Sequence, residues 1–217
     1  MRIHILSIFP ESFNSYFNSS ILKNAISKWL LDISYYKLND YSLDKFKRVD
    51  DKAYGMHGQV IKAEVLSAWI EDIFSKVWKK IPVIFFSPSW DLLTQEKLEN
   101  YYNELSQEFL IICWHYEWID QRIIDKYVDF KISIWEYVLT SWELASMVFI
   151  DSLSKLIPWV LSHNINLEEE SFCIKLNRQK EYPVYTKPEV FLWMEVPKVL
   201  LSWNHKEIEK WKLNNLT

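Results

Sequence analysis

Three stretches carry the side chains that could do chemistry: SPSW at 87–90, CWHYEW at 113–118 and SIWEYVLTSW at 133–142. Each follows an apolar run of strand type, and open parallel sheets bind their ligands beyond the carboxyl ends of the strands. Indoles at such a place could serve as flat platforms for stacking bases or sugars. A loop that wraps a cofactor asks for something else. Its backbone must take positive φ and approach the ligand closely, which is a job for glycine. Trp114 and Trp118 stand four apart where that glycine belongs. His57 and His115 are potential metal ligands, but no ligand spacing accompanies either, so no metal site is expected.

The elements that must hold these loops alternate. RIHILSIF (2–9), LDISYYKL (31–38), IPVIFFSPS (81–89), FLIIC (109–113) and FKISI (130–134) read as strands. Between them, a helix opened by Pro10 and Glu11 and others near 62–79 and 94–106 imply a parallel sheet covered on both faces. Thr140 and Glu143 match a capping box, which predicts a helix from about residue 141. Residues 40–61 form a long polar connection holding both glycines, Gly55 and Gly58, and loops of that length are usually functional. From about 162 the chain turns polar and aperiodic, then closes on the short helical stretch NHKEIEKWKLNN.

Composition sets further bounds. The 217 residues are 49% apolar, enough for a sizeable core, and the net charge of −4 argues against a partner held by bulk basic charge. Local basic patches at 44–52 and 75–80 remain candidates. Cys113 and Cys173 read as reduced thiols, and no apolar run reaches spanning length, so a soluble, cytoplasmic protein with no membrane partner is expected. Glycine is the anomaly. At roughly 7% usage about 15 are expected; the chain has 2, together with 12 tryptophans.

ILSIFPESF, RVDDKAYG, SPSWDLLTQ, ICWHYEWIDQR, SIWEYVLTSWELA, IDSLSKLIPWVL, YPVYTKPEVF and VPKVLLSWNHKEIEKW together resemble the tRNA (guanine-N1)-methyltransferase family, TrmD, in order along nearly the whole chain. With glycine for tryptophan, the central blocks become ICGHYEGID, SIGEYVLTSGELA, IPGVL and LLSGNH. Nine tryptophans (29, 90, 114, 118, 135, 142, 159, 193 and 203) fall where the family carries glycine. Trp211 falls on a family tryptophan, while Trp69 and Trp78 lie in a stretch that does not align. The expectation is a gene whose UGA codons specify glycine, read here as tryptophan. Restoring all but Trp211 would bring glycine to about 13, near the ordinary count.

The resemblance implies an α/β fold with a trefoil knot (the SPOUT class), a methyltransferase domain over 1–161, a flexible linker over 162–187 and a small helical domain over 188–217. It implies methyl transfer from S-adenosylmethionine to N1 of the tRNA guanine just 3′ of the anticodon, position 37. It also implies a homodimer with its active site at the subunit interface; magnesium is implied by the family alone. The family's general base, an aspartate before Ser-Phe, aligns with Glu170, and its catalytic arginine with Lys155. Cofactor contacts fall on Ser87 and Pro88, on Trp114, Glu117 and Trp118, and on Ile134, Trp135, Glu136, Tyr137, Val138, Leu139 and Trp142. Asp50, Asp51, Tyr54 and Gly55 match a loop that reaches RNA. There YGMHGQV is one residue shorter than the family's glycine-rich version, a departure that recoding does not explain. The chain closes soon after Trp211, which implies fewer tRNA contacts or a weaker helical domain. Two other readings stand beside this one: an RNA-binding relative with weakened or no catalysis, and a tryptophan-rich binding module.

Overall fold

The apolar runs become five strands of one parallel sheet. In the computed structural model, residues 1–55, 57–105, 107–115, 118–161 and 169–216 are described. β1 (Arg2–Ser7), β2 (Asp32–Lys37), β5 (Val83–Leu92), β6 (Glu108–Ile112) and β8 (Phe130–Ser133) lie in the order β2-β1-β6-β5-β8. Every neighbouring pair is parallel. Phe109 to Ile112 of β6 and Val83 to Phe86 of β5 are wholly buried, as strands covered on both faces must be.

Along the chain, α3 (Ala63–Val77), α4 (Gln95–Glu104) and α5 (Gln121–Tyr127) lie between these strands, and α6 (Glu143–Ser154) follows β8. The single helix expected after Pro10 is instead a 3-10 turn at Pro10–Phe13, α1 (Asn14–Phe17) and α2 (Ser20–Ser27). The break falls at Asn18 and Ser19, residue types whose side chains compete for the backbone. Ser19 Oγ donates to Tyr16 O at 2.7 Å.

The polar connection at 40–61 holds a hairpin that its sequence did not announce. β3 (Asp50–Lys52) pairs antiparallel with β4 (Gln59–Ile61), and β4 pairs parallel with β7 (Trp118–Ile119). Gly55 and Gly58 turn the hairpin at φ of 74° and 104°. β5 also runs further than expected. Its register with β8 shifts between Phe86 and Asp91, so Ser87 to Trp90 stand out from the ladder before the strand resumes.

The chain divides into two units, Met1–Leu161 and Ser162–Thr217. The second holds the hairpin β9 (Val190–Phe191) and β10 (Met194–Glu195) and the helix α7 (His205–Asn214). Within it, turns over 169–187 are tied to α7. Glu169 accepts hydrogen bonds from Lys175 (2.8 Å), Tyr182 (2.7 Å) and Lys212 (2.7 Å). Trp211 packs its ring against Tyr182 and Tyr185. No helix among the described residues is long and apolar enough to cross a membrane.

Candidate functional site

The carboxyl ends of β5, β6 and β8 deliver their loops to one place. Ser87 is buried and accepts from the backbone N–H of Ser89, with Pro88 half-buried beside it. From the loop after β6, Trp114 lies over Phe85, and its indole N–H donates to Phe86 O at 2.9 Å. Trp142, just before α6, stacks on Trp114 with centroids 5.1 Å apart and planes 17° from parallel. Trp118 meets Trp114 edge-on at 5.0 Å and Trp90 at 6.1 Å. Four indoles from these loops therefore occupy the point of convergence. Trp114 and Trp142 are 6% and 5% exposed, so their faces are spent on each other and on the sheet.

The third loop is open. Ser133 Oγ donates to Trp135 O, and Trp135, Glu136, Tyr137 and Val138 are exposed. Ile134 and Leu139 turn inward and pack against the core. The structure thus gathers Ser87, Pro88, Trp114, Trp118 and Trp142 at one site, with 134–139 continuing into it. Glu117 lies outside the described residues. As spelled, the residues that the resemblance assigns to S-adenosylmethionine do not fit it: indoles fill the space between their loops.

Beside the indoles is a network that sequence reasoning missed. Glu143, 2% exposed, accepts from Ser7 Oγ and bonds His115 Nε2 at 3.0 and 3.1 Å. Burial alone would raise its carboxyl; the hydrogen bonds from His115 and Ser7 hold it below its ordinary value. The expected capping box is not made. Trp142 is the N-cap, and no side chain caps the helix. Glu143 turns inward because a buried hydroxyl and an imidazole await it there. No local signal reveals a partner 136 residues away, so only the tertiary structure could.

At the small second sheet, a cavity of about 860 Å³ is lined by Asp51, Lys52, Tyr54, Lys62, Trp118 and Arg122, among others. Asp51 faces Lys62 at 4.0 Å, while Arg122 is held by Asp120 through two bonds of 2.9 and 2.7 Å. Of the expected RNA contacts, Asp51 and Tyr54 line this cavity. Asp50 pairs across the hairpin with Ile61, and Gly55 sits at its turn. Lys52 closes the basic stretch 44–52 that the sequence offered, while Lys62 and Arg122 are cations the sequence reading did not single out. Lys155 caps the carboxyl end of α6 in the first unit, and Glu170 lies at a bend of the second. Among the described residues no group of three or more His, Cys, Asp or Glu could hold a metal.

Three comparisons bear on this geometry. The family described as "tRNA (Guanine-1)-methyltransferase TrmD" matches residues 1–217. A tRNA (guanine-N(1)-)-methyltransferase of Alkaliphilus metalliredigens is 42% identical, covering 98% of this chain and 85% of that one. One from Borreliella burgdorferi is 45% identical, covering 98% and 87%. The crystal structure of tRNA (m1G37) methyltransferase from Aquifex aeolicus superposes with a TM-score of 0.78 at 31% identity, covering 98% of this chain and 88% of that one.

Proposed function

We propose a reaction for this chain, which belongs to the tRNA (guanine-1)-methyltransferase TrmD family. It is a methyltransferase that modifies guanine in tRNA at N1, with S-adenosylmethionine as the family's methyl donor. The finer reading is that the target is the guanine just 3′ of the anticodon, position 37, the position that the Aquifex enzyme's own name carries as m1G37.

N1 of guanine carries a proton and is a poor nucleophile until that proton leaves. Glu170 takes it as general base, and a carboxylate needs only hydrogen-bond reach to do so. Its side chain is one methylene longer than the family's aspartate, so its placement governs the rate. Lys155 sets its positive charge against the negative charge that develops on the guanine as N1 loses its proton, or against a phosphate, without the two-pronged geometry of arginine. Lys52, Lys62 and Arg122 suit phosphates, contacts that position an RNA without reading its sequence.

The same reading includes the threaded knot, a homodimer that completes each site across its interface, a linker over 162–187, of which 162–168 lie outside the described residues, a helical domain at 188–217 and a cytoplasmic setting. Magnesium rests on the family alone. The observation that carries the proposal is the convergence of the β5, β6 and β8 loops, in a chain matched by the family over its whole length.

The test uses protein purified from the cells that make it, an unmodified tRNA transcript and S-adenosylmethionine labelled in its methyl group. Label should enter the guanine 3′ of the anticodon and arrest reverse transcription there, because N1 methylation removes a Watson–Crick donor. A transcript with adenine at that position should take none. Label in the adenine transcript, or none in the guanine one, would overturn the reading.

A further inference from the structure

The described tryptophans fall into groups that the backbone separates. Five of them, Trp29, Trp78, Trp159, Trp193 and Trp203, have φ between 58° and 72°. Twelve non-glycine residues among those described take positive φ, and five are tryptophan; by composition fewer than one would be. For a bulky L-residue that region is an outlier, because Cβ crowds the following carbonyl. All five side chains are also between 80% and 96% exposed, so no packing compensates them.

Their positions are those that demand glycine. Trp78 follows the last residue of α3 in the left-handed conformation, and the N–H of Lys79 reaches back to Phe74 O at 3.2 Å. That is the usual glycine end of a helix. Trp29 closes α2 in the same way, with the N–H of Leu30 on Ala25 O at 3.0 Å. Leu192 and Trp193, at φ of 48° and 69°, are the two central residues of the β9–β10 turn. A two-residue hairpin turn with both φ positive is ordinarily built from Asn-Gly.

The second group is the cluster of Trp90, Trp114, Trp118 and Trp142, which fills the space where three loops meet at the sheet's carboxyl edge. A stacking platform for bases would leave ring faces free; Trp114 and Trp142 stack on each other, and Trp118 packs edge-on against Trp114 and Trp90. Trp69, packed in the core against Tyr36, and Trp211, packed on two tyrosines, show neither mark. Trp135 shows neither as well.

We propose that the protein made in its own cells carries glycine at the five left-handed tryptophans and at the four of the loop cluster, and that removing those four indoles opens the S-adenosylmethionine cavity. Trp78, which the sequence alone could not align, is thereby included. The cavity half of this proposal rests on the function proposed above; the residue half does not.

Peptide masses of the protein from its own cells, read across residues 78, 114, 118 and 142, decide the residue half. Glycine masses are expected; tryptophan masses would overturn it. Two recombinant full-length chains decide the cavity half, one as spelled and one with glycine at all nine positions. The glycine chain should melt about 10 °C higher or more and bind S-adenosylmethionine in calorimetry, while the spelled chain shows no binding. Equal melting and equal binding by the two would overturn the proposal. A more stable glycine chain that binds no S-adenosylmethionine would overturn the cavity and the donor reading while sustaining the residue assignment.

Discussion

The interior of the large sheet and the turns around it follow opposite rules. In β1, β5 and β6, residue type and backbone agree: isoleucine, leucine, valine and phenylalanine sit in extended conformation, wholly buried. At the helix ends and the β9–β10 turn, the widest side chain is set on backbones shaped for the narrowest, and beyond the strands it fills the space where three loops meet. Natural sequences are consistent between local preference and overall fold. A fold that satisfies its sheet and contradicts its turns therefore points to an error in how the turns were spelled, not to a poor fold.

The contrast can be broken or sharpened by substitution. Ile111→Ala, in the middle of β6, should cost about 2–5 kcal/mol in denaturant unfolding, the price of a cavity in a close-packed core. A much smaller loss would mean that the sheet is not the rigid half of the comparison. Glu143→Ala leaves the buried Ser7 hydroxyl proton without its acceptor, though the Ser7 oxygen keeps the N–H of Phe9, and frees His115 beside the indole cluster. About 1–3 kcal/mol should be lost, and Glu143→Gln should recover part of it. No change in either melt would remove the network from the account.

Trp78→Gly should move the other way, gaining about 1 kcal/mol by relieving a left-handed residue whose ring touches little. Destabilisation there would undo the distinction between sheet and turn. The same change at Trp211, which packs on Tyr182 and Tyr185, should instead be unfavourable.

The smallest effect lies in the second unit and depends on pH. Hydrogen bonds from Lys175, Lys212 and Tyr182 hold the Glu169 carboxyl at about 2, below its ordinary 4.5. Between those values the unfolded chain binds more protons, so stability rises with pH. The contribution is complete above 4.5 and fades as pH falls toward 2. Because the side chain is about one-third exposed, solvent weakens the effect. Unfolding of Glu169→Gln compared with the parent between pH 3 and 6 should show the gap narrowing on acidification; a constant gap would discount the ionic contribution.

Much of the fold was legible because its central strands are buried. Runs such as FLIIC and IPVIFF need no partner information to be recognised. The β3–β4 hairpin was not legible. Its strands, DDK and QVI, are short and largely polar, and they depend on pairing with residues 118–119. Of the site, Ser87 and the loop tryptophans were found because strand ends point to them. Glu143 was misread because S/T-x-x-E describes a local cap, and a buried Ser7–His115 pair outbids that local bond. Lys155 and Glu170 carry no geometric signal of their own and came only with the family register.

The turn that ends α2 has a consequence at the level of inheritance. Trp29 is the first tryptophan of the chain. On the glycine assignment its codon is UGA, which most cells read as termination. A copy of this gene carried into such a cell would yield 28 residues, a lone β1 and its following helices, without β2 or β6 to pair with. The left-handed step at residue 29 thereby acts as a genetic border: the gene works only where its dialect is spoken.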